Sequence, residues 1–363
     1  MNIVFRTDAS TLIGSGHVMR CLALAQAFYS KGHRVIFVSR NHVGNINNII
    51  QEHGFDLRIL LFSSSCDHNN KFVSNDYSHW LGTDQTQDAV DTILAIQSIP
   101  VDLLIVDHYA LGYVWEKELR FSVKKILVID DLANRLHDAD ILLDQNYYPD
   151  MHTRYNELVP KSCVKLLGLN YVLLRPLFEH IQKKRYAIKK NRINNIKNML
   201  IYLGAVDINN ITLEILKDFP DSKKFHGEIH VIVGDVNPNK ISVQEFCLRD
   251  KRMFYHCQPS YYDRLLINAD WCIGAGGGST YERIYINLMS TIICVSEHQK
   301  RAMEYLSTIM NCELFYANSV AKLRMMLEDI VTDQKDKNTS KQMQFSTMMN
   351  SVDKIVNKII YYL

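Results

Sequence analysis

The sequence predicts an α/β protein of two doubly wound, Rossmann-like domains facing a cleft. Three observations carry this prediction. Short apolar runs alternate with longer amphipathic stretches along the chain. The runs are continuous, which is how parallel strands read when helices bury both of their faces. The rhythm stops near residue 145 and starts again near residue 199, and at roughly 100–200 residues per domain the 363 residues accommodate two such domains.

Ile3-Val4-Phe5 reads as the first strand. Val18 to Tyr29 carries Val18, Cys21, Leu22, Ala25 and Phe28 at helical spacing, and Gly32 stops it. Val35 to Val38 is the next strand, followed by strands at Leu57 to Phe62, Val101 to Val106 and Ile126 to Ile129. Asp144 to Tyr155 is polar and irregular. From Arg175 to Lys197 the chain is basic, and Lys183, Lys184, Arg185, Lys189, Lys190, Arg192 and Lys197 read as the solvated face of a linker helix. Strands resume at Met199 to Leu203, Ile229 to Val233, Trp271 to Ile273 and Ile292 to Val295, with helices at Pro259 to Ala269 and Ser279 to Leu288. Val352, Ile355, Val356, Ile359 and Ile360 mark a last helix. The expected organisation is a domain at 1–165, a linker region at 166–197, a second domain at 198–330 and a helical tail at 331–363. In open sheets of this kind, ligands sit at the carboxyl ends of the strands.

The composition is 47% hydrophobic and 22% charged, which supports a full core and excludes wholesale disorder. A formal net charge of +2 gives no reason to expect a nucleic-acid partner. The eight cysteines are scattered without a C-x-x-C pair, which argues against a zinc site or disulfide framework and for small buried hydrophobes in a reducing compartment. The apolar start is broken by Arg6 and Asp8, too soon for a signal-peptide core, and no stretch approaches the ~20 apolar residues of a membrane helix. A soluble cytoplasmic monomer is expected, without membrane insertion.

Five loops carry the chemistry. Gly14-Ser15-Gly16-His17 lies between the first strand and the first helix. Its glycines let backbone N–H groups approach a ligand, although the third glycine of the dinucleotide fingerprint is missing. The positive end of the helix dipole disfavours an imidazolium there, so His17 reads either as a neutral base or as a polar residue at a helix start. Asp107-His108-Tyr109 follows a buried strand; Asp107 either orients His17 or a sugar hydroxyl, or caps its own turn, and Tyr109 is a candidate sugar contact. Gly274-Ala275-Gly276-Gly277-Gly278-Ser279 is a phosphate-cradling turn without the Gly-Lys-Ser/Thr of a Walker loop. Glu282 either reaches ribose hydroxyls or closes a capping box with Ser279. Gly204-Ala205-Val206-Asp207 follows the first strand of the second half, where Asp207 is a ligand residue or a helix cap. Glu297-His298-Gln299 follows the last clear strand and reads as polar residues facing the cleft or as a helix start.

These loops, in this order, resemble the UDP-sugar hydrolases of bacterial pseudaminic acid biosynthesis, which are similar in fold to the two-domain glycosyltransferases called GT-B. Phe5-Arg6-x-Asp8 with Ile13-Gly14-x-Gly16-His17, and Asp107-His108-Tyr109, resemble that hydrolase group in particular; the Gly-Ala-Gly-Gly segment with Glu282 is shared more widely with the glycosyltransferases. The resemblance covers residues 1 to about 310. It implies removal of UDP from a UDP-linked diacetamido-trideoxy hexose by water, with inversion, without cofactor or metal. His17 would be the base. Arg6, Gly14, Gly16, Asp107, Tyr109, Glu297, His298 and Gln299 would line the sugar. Gly204, Ala205, Asp207, Gly274, Gly276, Gly277, Gly278, Ser279 and Glu282 would hold the nucleotide. The chain departs from the pattern at Gly204-Ala205-Val206, where the family has two glycines and a small hydroxyl residue. It departs again at His298, where the family has asparagine. A glycosyltransferase or a nucleotide-sugar-binding protein without turnover are the alternative readings.

Overall fold

Continuous apolar runs become parallel strands in the computed structural model of the protein, which describes residues 1–61, 77–189, 196–219, 225–295, 297–310, 314–316, 327–328 and 348–363. The chain divides into two compact units, Met1–Arg175 with Asn350–Leu363, and Pro176–Met349.

The first unit runs β1 (Asn2–Thr7), α1 (Gly16–Ser30), β2 (Arg34–Arg40), α2 (Asn47–Glu52), β3 (Asp56–Leu60), α3 (Gln85–Ile96), β4 (Val101–Asp107), α4 (Tyr113–Leu119), β5 (Val123–Ile129), β6 (Ile141–Asp144) and β7 (Val164–Leu167). The strands lie in the order β3-β2-β1-β4-β5-β6-β7, all parallel. Alternate residues of β1 serve opposite faces. Ile3 and Phe5 pack with Val18, Leu22 and Phe28 of α1, while Val4 packs with Trp115 and Leu119 of α4. Both faces being covered is why the run carries no polar alternation. The strand order reverses between β1 and β4, where Thr7 is paired with Asp107. The loops leaving these two strands are therefore neighbours, at the switch point where doubly wound sheets take ligands.

The second unit runs α5 (Leu177–Lys189), β8 (Asn198–Tyr202), α6 (Ile211–Lys217), β9 (Glu228–Val233), α7 (Lys240–Cys247), β10 (Met253–Cys257), α8 (Tyr262–Asn268), β11 (Trp271–Ala275), α9 (Gly278–Tyr285), β12 (Met289–Cys294), α10 (Glu297–Met310) and β13 (Leu314–Tyr316). Its parallel order is β10-β9-β8-β11-β12-β13, so the switch point falls between β8 and β11.

The stretch expected as a linker is divided between the units. β7 completes the first sheet, and α5 packs on α8 and α9 of the second unit. Nor is its basic run wholly a solvated face. Arg185 is buried, with Nε donating to Ile286 O at 2.9 Å and Nη1 to Ala269 O at 2.8 Å. Lys190 and Arg192 lie outside the described residues. The last helix, α11 (Val352–Tyr361), is not a separate tail: Val352, Ile355, Val356 and Ile359 join the core of the first unit against α1. Ile355→Ala should therefore cost the first unit about 2–4 kcal/mol, as for a truncated core aliphatic. Urea denaturation checks this, and an unchanged midpoint would show that α11 contributes nothing to that core.

Candidate active site

The loop that leaves β1 is tied into a tight turn. Gly14 donates its N–H to Ser10 O at 2.9 Å, and Ser10 Oγ accepts from Ile13 at 2.9 Å and Leu12 at 3.1 Å. α1 starts at Gly16, so His17 is its second residue and Arg20 stands one turn further on the same face. Both side chains reach Asp107 at the end of β4. His17 Nδ1 lies 2.6 Å from Asp107 Oδ1; Arg20 donates Nε to Oδ2 at 2.5 Å and Nη2 to Oδ1 at 2.6 Å. Arg20 Nη1 also donates to Asp131 Oδ2 at 3.0 Å, after β5.

Asp107 is fully buried, which alone would raise its pKa. Arg20, and after it His17, outweigh that burial and hold the carboxyl well below the usual range. An ionised carboxylate only accepts. The proton of a neutral His17 therefore sits on Nδ1, which leaves the Nε2 lone pair as the free acceptor. Among the described residues, Nε2 has no hydrogen-bond partner, and the side chain keeps 9% exposure. The Tyr109 ring meets the imidazole edge-on at 4.6 Å and stacks on Trp80 at 5.4 Å. Burial, and then Asp131, push the Tyr109 hydroxyl well above its ordinary value, so it remains a donor.

Arg6 is a correction. It was expected beside the sugar, yet it is wholly buried. Its Nη1 donates to Asp8 Oδ1 at 2.6 Å, and Nη2 and Nε donate to Asp88 at 2.6 and 3.1 Å. A guanidinium committed to two core carboxylates does not face a ligand. Arg20, Asp131 and Trp80 are site residues that the sequence did not single out. Arg20 alone had a visible signal, its i+3 spacing from His17.

In the second unit, the loops leaving β8 and β11 carry the predicted residues. Gly204 has φ +96°, with open space where a Cβ would stand. The Ala205 methyl is turned onto Gly234, where an added Cβ would come within 2.8 Å of it. Asp207 is a second correction. Its two carboxylate oxygens accept the N–H groups of Ile211 and Thr212, each at 2.9 Å, so it caps α6 instead of holding a nucleotide. Gly277 caps α9 with φ +93°, a backbone that suits glycine. Gly278 and Ser279 are therefore the first two helical residues, and the Ser279–Glu282 capping box does not form. Glu282 is half-buried in the helix. Gly274 is needed for close approach, since a Cβ there would stand 2.5 Å from Arg283 Nη1. Gly276 donates its N–H to Ile293 O at 2.9 Å. Gln299 stands against Gly276 and Gly277 and accepts from Val295 N at 3.3 Å. Glu297 is exposed at the start of α10, 3.8 Å from Lys300, and the His298 side chain lies outside the described residues. Among the described residues, no helix is long and apolar enough to cross a membrane, and no cluster of His, Cys, Asp and Glu is placed to hold a metal ion.

No family model matches the chain. It is 24% identical over 308 residues to the UDP-2,4-diacetamido-2,4,6-trideoxy-beta-L-altropyranose hydrolase of Campylobacter jejuni, spanning 85% of this chain and 96% of that protein. It is 24% identical over 209 residues to the spore coat polysaccharide biosynthesis protein SpsG of Bacillus subtilis, spanning 56% of this chain and 59% of that one. Among solved structures it resembles Acinetobacter baumannii MurG (TM-score 0.63, 12% identity, 99% of each chain). It also resembles the spinosyn rhamnosyltransferase SpnG (TM-score 0.65, 12% identity, 98% of this chain and 99% of that one). The fold is thus that of the GT-B glycosyltransferases: two parallel-sheet, Rossmann-like α/β units. The resemblance to the altropyranose hydrolase, first drawn from the loop motifs, extends along most of the chain.

At the ends of β5 and β6, Tyr155 Oη lies 2.9 Å from Asp144 Oδ2 and 3.1 Å from Asp130 Oδ2. One hydroxyl proton serves one carboxylate, so the other carboxyl must supply its own. Arg135 outweighs the burial of Asp130 and keeps it ionised. Burial, and then Asp131, push Asp144 up to about 8. The folded protein therefore keeps a proton that the unfolded chain releases above its ordinary value of 3.8. This contribution to stability is complete below that value and is lost as pH rises toward about 8, at roughly 1.4 kcal/mol per pH unit. Asp144→Asn should flatten that part of the profile; melting temperatures between pH 5 and about 8 check it, and an unchanged slope would assign it to other groups.

Proposed function

We propose that the protein hydrolyses a UDP-linked diacetamido-trideoxy hexose to free sugar and UDP, with inversion at the anomeric carbon, as a step of pseudaminic acid biosynthesis. The observation that carries this reading is the Arg20–Asp107–His17 arrangement, which fixes the tautomer of His17 and leaves Nε2 as an acceptor. The similarity to the Campylobacter hydrolase over most of both chains supports it and suggests the substrate class.

In the proposed reaction His17 Nε2 takes a proton from water. The water oxygen bonds to the anomeric carbon, the bond from that carbon to the diphosphate oxygen breaks, and UDP leaves with the electron pair. Asp107 stays ionised and stabilises the imidazolium, as buried carboxylates do beside catalytic histidines. Tyr109 and Trp80 form an aromatic wall for the sugar beside the base. The turn at Gly277, Gly278 and Ser279 takes the diphosphate on backbone N–H groups, a preorganised site for the charge that grows on the leaving group, with Gly276 tied to Ile293 behind it. Glu282 is assigned to the ribose, and Gly204 and Ala205 to the rim of the diphosphate site.

Incubating the protein with a panel of UDP-sugars and no acceptor should release free UDP, most rapidly from diacetamido-trideoxy sugars. Transfer to an added acceptor in preference to water would overturn hydrolysis in favour of glycosyl transfer. His17→Leu should lower kcat by about 10²-fold or more while UDP affinity stays within about threefold. Asp107→Asn should cost as much, because an amide can donate to Nδ1 and move the ring proton onto Nε2. A His17→Leu enzyme that keeps a tenth of the wild-type rate would remove His17 as the base.

A further inference from the structure

We infer that Arg283 is the built-in counter-charge of the glycine turn, a positioning residue that tunes the second unit for a diphosphate. This rests on the reading that the unit binds UDP. Helical side chains lean toward the amino terminus, and Arg283 on α9 does so. Its Nη1 donates to Ser279 Oγ at 3.1 Å, and its Nη2 donates to Ala275 O at 2.8 Å and Thr280 Oγ1 at 3.1 Å. Gly274 lies on the guanidinium, and the residue is 3% exposed. Its Nε has no hydrogen-bond partner, and no carboxylate pairs with it among the described residues.

Two physical facts make this arrangement costly unless an anion arrives. A guanidinium stays charged, and a buried charge without a counter-ion is strongly disfavoured. The amino terminus of a helix is itself positive and favours anions. Arg185 shows the structural alternative: it is also buried, but its donors meet the carbonyls of Leu266, Ala269 and Ile286, around the carboxyl ends of α8 and α9, where helix dipoles are negative. Arg283 lies at the opposite end of α9. There, the N–H groups of Gly278 and Ser279 are among the first of the helix and have no partner within it. A nucleoside diphosphate placed on those N–H groups meets both the amides and the guanidinium charge behind them. Arg283 need not touch the phosphates: it holds Ser279 and Ala275 and acts through the turn.

Titration calorimetry with UDP, UMP and uridine tests this. Arg283→Gln keeps a hydrogen-bonding side chain and removes the charge. It should weaken UDP about tenfold or more, UMP less, and leave uridine within about twofold, because the loss follows the ligand's charge. Arg283→Lys should keep most of the preference for UDP over uridine. If Arg283→Gln binds uridine normally and keeps the wild-type preference for UDP, the inference is wrong. If it loses UDP and uridine equally, its role is only structural and the inference is also wrong. Should Arg283→Gln fail to fold, Arg283→Lys decides: a folded Lys variant that retains the preference supports the charge, and one that loses it overturns the charge. A wild type that binds uridine as tightly as UDP would instead overturn the UDP reading, and this inference with it.

Discussion

A carboxylate wholly removed from water sets the arrangement of the first unit. Asp107 ends the central strand β4, and its burial would be prohibitive without compensation. The Arg20 fork and the His17 N–H supply that compensation. To do so, α1 must begin directly above the end of β4, with His17 and Arg20 on the face turned toward the sheet. The pairing of Thr7 with Asp107 brings the strand ends together, and the closed turn from Ser10 to Gly14 sets where the helix starts. The contacts that make the carboxylate tolerable also fix the tautomer of a neutral His17. Stability and chemistry thus rest on the same three side chains.

Beneath this layer lies a second buried charge network. Arg6 and Arg40 share Asp88, Asp8 accepts from Arg6 and from the Arg40 N–H, and Trp115 Nε1 donates to Asp88 at 3.0 Å. It joins the ends of β1 and β2 to α3 and α4. Replacing such a network with apolar side chains often leaves stability unchanged, whereas removing one member strands a buried charge. Its contribution is therefore better described as rigidity under the loop from Asp8 to His17. His108 belongs to the same layer: its Nδ1 accepts the Ala110 N–H at 3.1 Å, which directs its Nε2 proton toward Asp8. Burial lowers its pKa and keeps it neutral.

The central strands were legible because both faces are covered and the run is unbroken. Four strands were not: β6 and β7 span only four residues each, and in the edge strands β10 and β13 Tyr255, His256 and Tyr316 are only half-buried and dilute the apolar signal. The last helix was legible from its spacing, but nothing local says that it packs on α1, because that contact joins opposite ends of the chain. His17 and Asp107 were each visible as loop residues, whereas their bond, across 90 positions, was not. Arg6 misled because it sits in a motif with His17; strand geometry turns it into the core instead. The Ser279 capping box failed for a local reason. Gly277 adopts a positive φ, the helix starts two residues earlier than serine capping requires, and the hydroxyl is left to accept from Arg283.

Both units place their candidate residues at the switch point of a parallel sheet, yet the two points are built from different groups. A general base needs a lone pair that can take a proton and keep its tautomer, and only a side chain held by other side chains provides that. Hence the carboxylate, the fork and the imidazole after β4 and β1. A leaving diphosphate needs donors that never give up a proton, whatever the stage of the reaction. Backbone N–H groups meet that need, and so does a guanidinium, whose charge does not titrate in the range where the protein folds. A histidine in the glycine turn would instead tie the hold on a leaving group to its own titration. In the proposed reaction the turn holds the leaving group with the amides of glycine and serine and the charge of Arg283, and proton transfer falls to His17.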